Sequence, residues 1–372
     1  MKIYGFDDDV VLSGANLSRD YFTNRRDRYL LIENHEVIAN YLHSLVHLVG
    51  QFSFRLETDS EKHTSTEKDT RQGWKLIWDG GQDDATASSS DTASQLYPES
   101  GWTDAATQAV IEFTRQWHAR SSSLSPIAGS KKEDADTLLI PLLQMGPLNV
   151  RQETRAIPQI LELALEAPDQ DDSPPTLALT SGYFSLYRPY KALLQQAKTA
   201  RSAIVKIICA APEANGFFQS KGVSGWIPEA YTWYEYQFWN ALRRSNRLLR
   251  QDGKRIQDGG VEITEWKKEG WTYHAKGIWY SPPPAKGSNE TAAPKMVHVG
   301  SSNYGSRSAD LDLECTFLIS TQSKALSQRF KDEYATLDKD ANDLVNEDLF
   351  QRSDRKVRRR VKIASRILKG ML

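Results

Sequence analysis

Residues 272–280 read TYHAKGIWY and residues 295–303 read KMVHVGSSN, two short apolar runs with the alternation of paired strands. On a strand, residues two apart face the same side, so His274 and Lys276 deliver an imidazole and an ammonium to one surface. The second run ends in Gly300-Ser301-Ser302-Asn303, where small residues let a ligand approach the backbone and Ser301 and Asn303 offer hydrogen bonds. Together these groups suit a phosphate: His as nucleophile or general acid, Lys as clamp, Ser and Asn as donors to the charge on a pentacoordinate phosphorus. A lone His-x-Lys would be an ordinary strand histidine beside a solvated lysine, so the weight lies in whether it recurs.

It recurs at the start of the chain. In MKIYGFDDDVVLSGANLS, residues 1–18, Lys2 corresponds to Lys276 and Ser13-Gly14-Ala15-Asn16 to residues 300–303. Asp7 stands five positions after Lys2, where a carboxylate can orient the donors; the matching position of the later copy is Ser281, inside SPPPAKGSNETAAP. Asp27 and Glu314 each follow their Asn by 11 residues and are candidates to orient a catalytic imidazole. A His directly before Met1 would complete the first copy. The sequence is therefore expected to be an internal repeat whose first copy lacks its leading residue, as in an incomplete gene model.

The rest of the chain supports an enzyme of modest complexity. Its 372 residues, 39% of them apolar, can build two domains. The two cysteines, Cys209 and Cys315, sit in apolar runs, which argues against a disulfide framework or a thiolate metal site and for a reducing compartment. No apolar run is long enough to span a bilayer. His43 and His47 lie one turn apart on an amphipathic helix without a third ligand, so they read as surface histidines and no metal is expected. Residues 1–56 form the remainder of a first domain. Residues 57–136 read as flexible insertions around a short helical piece, and residues 137–340 alternate strand and helix, which implies an α/β fold with a mixed sheet. Between two of these elements, EANGFFQSKGVSGWIP is a Gly-rich loop in which Asn215, Gly216 and Lys221 could grip a phosphate or simply shape a turn.

Residues 341–372 end in a basic tail. From Arg352 onward nine Lys and Arg face the single acid Asp354, so a net charge of -1 for the whole leaves about -9 on the remainder. Val357, Val361, Ala364, Leu368 and Leu372 follow helical spacing among these cations, which suits a helix lying on an anionic membrane surface. The acidic remainder and the lack of aromatics interleaved with the tail argue against nucleic acid.

These motifs resemble the phospholipase D superfamily, whose His-x-Lys, four residues, Asp, then Gly/Ser-Gly/Ser-x-Asn pattern occurs twice around one site. With YGFDDDVVLSGANLSRDYFTNRRDRY, LLIPLLQMGPL, PEANGFFQSKGVSGWIPEAY and GWTYHAKGIWY, the chain is similar more narrowly to the eukaryotic CDP-diacylglycerol–glycerol-3-phosphate 3-phosphatidyltransferases. The resemblance implies two α/β/α domains related by a pseudo-twofold axis, the first truncated at its N-terminus. It implies catalysis by His274, Lys276, Lys2 and Asp7, with Asn16, Asn303, Ser13 and Ser301 on the phosphoryl oxygens, Glu314 and Asp27 orienting, and neither metal nor cofactor. One His would attack the lipid-side phosphorus of CDP-diacylglycerol, and the other would move the proton for CMP and for the hydroxyl of glycerol 3-phosphate. Peripheral attachment to the inner mitochondrial membrane is implied too. Alternatives are another phosphatidyltransferase or phosphodiesterase of the superfamily, or an inactive lipid-binding fragment.

Overall fold

A computed structural model describes residues 1–59, 73–77, 101–123, 135–165, 174–196, 203–249, 259–284, 292–367 and 370. Most of the Ser-, Ala- and Asp-rich tracts expected to be insertions, and Leu368 and Leu372 of the tail, lie outside the described residues.

The chain opens with strands β1 (Ile3–Phe6), β2 (Asp9–Ser13), β3 (Arg25–Arg26) and β4 (Tyr29–Ile32), then helix α1 (Glu36–Gln51). Strands β5 (Arg55–Asp59) and β6 (Gly73–Ile77) pair antiparallel, and helix α2 (Trp102–Ser123) follows. From there the order is β7 (Thr137–Met145), β8 (Val150–Arg151), α3 (Gln152–Leu165), β9 (Thr176–Ser181), α4 (Arg188–Gln196), β10 (Ile204–Ala210), α5 (Ile227–Arg244) and β11 (Gly260–Trp266). The last third runs β12 (Thr272–Tyr273), β13 (Lys276–Ser281), β14 (Met296–Gly300), α6 (Ser306–Asp310), β15 (Leu313–Thr321), α7 (Lys324–Asp338), β16 (Asp343–Leu344), α8 (Glu347–Gln351) and α9 (Arg359–Ile367).

Contacts divide the chain into two units that do not follow sequence order. One comprises residues 1–2, 11–31 and 129–372, the other residues 3–10 and 32–128. The second unit includes α1 and α2, which meet through Tyr41 against Phe113 and Trp117. The first unit gathers the early residues Lys2, Ser13, Asn16 and Asp27 into the same body as His274 and Asn303.

The frame of the first unit is a nine-stranded mixed sheet in the order β16-β11-β10-β9-β13-β14-β15-β7-β8. Strands β9, β10 and β11 run parallel, with α4 and α5 as the crossovers that parallel neighbours require, while β13, β14, β15 and β7 form antiparallel pairs. The central strands are continuous apolar runs because both their faces are covered. Leu177 and Leu179 of β9, Val205 and Ile207 of β10, and Val261 and Ile263 of β11 are buried in one core with Ile157, Leu161 and Phe238 from the helices. This is the mixed α/β architecture implied by the alternating elements. The helices start and stop where local chemistry dictates: Pro228 stands in the first turn of α5 and Arg243 and Arg244 in its last, and Ser323 caps α7 by accepting from Leu326 N.

Candidate active site

His274 lies where one strand changes partners. β12 pairs in parallel with β3, matching Thr272 to Arg25 and Tyr273 to Arg26, and His274 N donates to Arg26 O at 2.8 Å. Two residues later Lys276 begins β13, which pairs antiparallel with β9 opposite Ser181. The chain is not one uninterrupted strand across His-x-Lys, as simple alternation would have it, yet the two side chains still converge. The switch needs a close backbone crossing: a Cβ on Gly182, just past β9, would lie 2.5 Å from Tyr273 O and 2.8 Å from His274 Cα.

The early Ser-Gly-Ala-Asn turn closes over this point. A Cβ on Gly14 would sit 2.8 Å from both Asp27 Oδ1 and Lys276 Cδ, so glycine lets the turn and the two charged side chains share the space. Ser13 Oγ donates to Arg28 O at 2.6 Å and accepts from Ala15 N at 3.0 Å, which makes it a brace for the turn. In the later turn Ser301 donates to Glu314 in a short hydrogen bond. Ser302, next along, donates to the buried Glu153 at 2.7 Å.

At the centre, Asp27 Oδ2 lies 2.7 Å from His274 Nδ1. The carboxylate of the first motif copy therefore holds the imidazole of the second. Asp27 remains ionised despite burial, because Lys276, the bond from His274 and the Arg28 backbone N–H together hold its carboxyl below the usual carboxylate range. Lys276 Nζ is 3.0 Å from His274 Nε2, 2.5 Å from the His274 carbonyl oxygen and 3.9 Å from Asp27 Oδ2. Burial pushes its ammonium down to about 8, opposed by the Asp27 charge and reinforced by the charge of Lys2. Burial, with Lys276 adding to it, pushes His274 down to about 4 against the pull of Asp27. At neutral pH the imidazole is thus uncharged; with Nδ1–H donated to Asp27, the Nε2 lone pair faces Lys276 Nζ at 3.0 Å and Tyr21 OH at 3.4 Å.

A cavity of about 290 Å³ opens beside this cluster. Of the residues singled out in the sequence, Lys2, Asn16, His274, Asn303 and Glu314 line it, and Asp27 and Lys276 touch His274 from behind. Asn303 Oδ1 is buried without a hydrogen-bond partner among the described residues, which leaves that amide free for a ligand. Glu314 is buried, accepts from Ser301 and lies 4.0 Å from the Met1 nitrogen. Asp7 is placed differently: it occupies an exposed, left-handed turn between β1 and β2, with φ of 52°, and its carbonyl accepts from His43 Nε2 at 3.2 Å. It belongs to the second unit and is not among the cavity's lining residues.

Sequence reasoning missed an aromatic and cationic wall. Tyr21 and Tyr183 stand edge-on to the imidazole at centroid distances of 5.3 and 5.2 Å, and Tyr21 OH is 3.3 Å from Nδ1. Arg25, Phe217, Tyr231 and Arg307 also line the cavity. Tyr21 and Arg25 fall within SRDYFTNRR just after the Asn16 turn, where density of aromatic and basic residues was the available signal; Phe217 comes from the Gly-rich loop. In that loop a Cβ on Gly216 would approach Arg25 Nη2 to 2.9 Å, so the glycine admits the guanidinium, whereas Lys221 is exposed. Arg28, also missed, is buried beneath the cluster, where it donates to Lys276 O and His298 O and pairs with Glu333. Among the described residues no group of three or more His, Cys, Asp or Glu is arranged to hold a metal ion.

The chain matches no protein-family model. It is 33% identical over 377 residues to the mitochondrial CDP-diacylglycerol–glycerol-3-phosphate 3-phosphatidyltransferase of Gallus gallus, covering 100% of this chain and 61% of that protein. It is 32% identical to the protein of that name from Saccharomyces cerevisiae, covering 99% and 64%, and 32% identical to a probable one from Dictyostelium discoideum, covering 95% and 53%. The chain thus spans between about half and two thirds of the length of the curated relatives it matches. Among solved structures, the phosphatidylserine synthase of Haemophilus influenzae superposes with a TM-score of 0.57 at 18% identity, over 100% of this chain and 70% of that one. The chain is thus similar in sequence to these transferases over nearly its whole length and shares the fold of the synthase. Lys2 and Lys276, and Asn16 and Asn303, come from distant parts of the sequence to one histidine.

Proposed function

We propose that this chain carries the transfer site of a phosphatidyltransferase that moves the phosphatidyl group from CDP-diacylglycerol to sn-glycerol 3-phosphate, giving phosphatidylglycerophosphate and CMP. The observation that carries the reading is the uncharged His274, held by Asp27 at 2.7 Å in a cavity lined by Lys2, Asn16 and Asn303. The sequence similarity to transferases of that name supports these substrates.

In the first step His274 Nε2 attacks the lipid-side phosphorus. The P–O bond to CMP breaks and its electron pair leaves on CMP, whose phosphate departs readily without a strong acid. Lys2, Lys276, Asn16 and Asn303 hold the phosphoryl oxygens as charge grows on them. In the second step a glycerol 3-phosphate hydroxyl attacks the same phosphorus. The P–N bond breaks and the freed Nε2 takes the hydroxyl proton, which then passes to solvent. Asp27 keeps Nδ1–H fixed through both steps, as the carboxylate does in Ser-His-Asp sites. Arg25 and Arg307 are placed to receive the phosphate that glycerol 3-phosphate brings with it. A lipid donor requires work at a membrane surface; the mitochondrial relatives support a mitochondrial location, within which the inner membrane is the proposed place.

The test is CMP release from CDP-diacylglycerol in detergent micelles, with and without glycerol 3-phosphate. Release that requires glycerol 3-phosphate, with an acid-labile phosphatidyl adduct that His274→Ala abolishes, is the expected result. Release into water without acceptor would mean a phosphodiesterase, and turnover by the His274→Ala protein would reject the assignment.

A further inference from the structure

A second cavity, of about 450 Å³, lies where α5, α8 and α9 meet and shares no lining residue with the catalytic one. One wall is aromatic: Trp233 and Tyr236 stack at 5.4 Å and 19°, and Phe350 stands edge-on to Tyr236 and tilted against Trp239. The rim is cationic, with Arg243, Lys356 and Lys362 against the single acid Glu347. Arg243 and Glu347 are 3.6 Å apart and both about half exposed or more, so they neutralise each other weakly. Lys356 has no ion-pair partner among the described residues. Trp233 Nε1 is buried without an acceptor.

The C-terminal helix explains how this groove arises. Part of the tail's apolar side, Val357 and Val361, is folded onto α5. Val361 is buried with Ala230 and Tyr234, Val357 packs against the same cluster, and Tyr234 OH donates to Ser365 O at 2.7 Å. With that stripe occupied, the helix turns Lys362 over the Trp233 ring at 4.5 Å, beside the aromatic wall.

Cations alone would favour a small hydrated anion, and aromatic rings alone an apolar ligand. A row of cations along an aromatic wall matches an anion covalently joined to an apolar body, the chemistry that Trp, Tyr, Lys and Arg meet at a membrane interface. A nucleotide fits less well, because the Trp233 ring is already engaged by Tyr236 and Lys362 and offers little free face to a base. We infer that this groove binds one anionic phospholipid, its phosphate against Arg243, Lys356 and Lys362 and its glycerol and first acyl carbons against Trp239 and Phe350. The site is independent of the transferase reading and would hold a lipid that is not being turned over.

The experiment titrates the full chain with dihexanoyl phosphatidylglycerol, which dissolves as monomers, and follows tryptophan emission. The expected result is saturable binding that dihexanoyl phosphatidylcholine does not reproduce and that persists in the His274→Ala protein. Lys356→Glu, an exposed change that leaves the α5–α9 packing untouched, is expected to weaken it at least about fivefold, and Lys356→Glu with Lys362→Glu more than about tenfold. Melting curves confirm that each variant is folded. Equal affinity in the wild-type and double-variant proteins would overturn the proposal. So would full displacement of the lipid by CMP or by inorganic phosphate, the first pointing to a nucleotide site and the second to a simple anion site.

Discussion

Replacing Asp27 by Asn tests the centre of the site, because the two side chains are nearly isosteric and only the charge changes. Asp27 does two things: it accepts Nδ1–H from His274 at 2.7 Å, and its charge lies 3.9 Å from Lys276 Nζ. Losing a charged acceptor in a buried hydrogen bond costs about 1.5–3 kcal/mol, or roughly a 10- to 150-fold fall in the chemical step at 1.4 kcal/mol per decade. The amide can also donate to Nδ1 and so select the wrong tautomer, which adds to that loss. The second effect falls on Lys276, whose ammonium sits at about 8 and is raised by Asp27. An opposite charge at this distance is worth about 1–3 pH units, so the variant ammonium titrates below neutrality or close to it.

The sign follows from the role. The clamp needs protonated Lys276, so wild-type activity falls as pH rises through about 8, and in Asp27→Asn that alkaline limb moves to lower pH. At pH 7 a group at about 8 is roughly nine-tenths protonated, and a shift of about one unit halves that, so the rate loss grows toward alkaline pH. The assay is CMP release at saturating glycerol 3-phosphate across pH 6 to 9. A variant with a wild-type rate, or with a large loss that is the same at every pH, would refute the coupling of Asp27 to Lys276.

Two further predictions concern buried charges away from the imidazole. Glu153 is pushed up to about 8 by burial, with the nearby Glu314 charge adding to the push, so the folded protein holds a proton that the unfolded chain releases near pH 4.5. Stability is therefore lost as pH rises between those values. Glu153→Gln, which can still accept from Ser302, is expected to gain in Tm relative to wild type across that window and to match it below; parallel Tm curves would contradict this. Arg355, buried, donates to both oxygens of Glu265 at 3.0 Å and to Glu213 at 3.1 Å. Arg355→Met leaves Glu265 unpaired beside buried Glu235, and a loss of about 3–5 kcal/mol in urea unfolding is expected, much of it recovered when Glu265→Leu is added.

What the sequence disclosed, and what it did not, divides along the range of the interactions. The repeated motif was legible because its spacing is local: Lys276 stands two positions after His274, and each carboxylate stands 11 positions after its Asn. Which carboxylate serves which imidazole was not local. Asp27 reaches His274 across 247 positions, because β3 pairs with β12 and brings the end of the first motif beside the start of the second. Nothing in either segment alone announces that pairing. The same holds for Tyr21, Tyr183 and Arg25, which had no motif to mark them and acquire a role only where the strand changes partners.

The partner of the tail helix was out of reach of the sequence for a related reason. Helical periodicity correctly shows that α9 has an apolar side, but it is silent on what that side meets. Val361 packs against Ala230 and Tyr234 of α5, since an apolar side chain finds a partner within its own chain at no cost in association entropy. A helix whose apolar side is occupied in this way still directs its cations outward. The charge pattern that suggested a membrane thus survives in the fold, but as the rim of a groove whose depth is supplied by Trp233, Trp239 and Phe350 rather than by the helix itself.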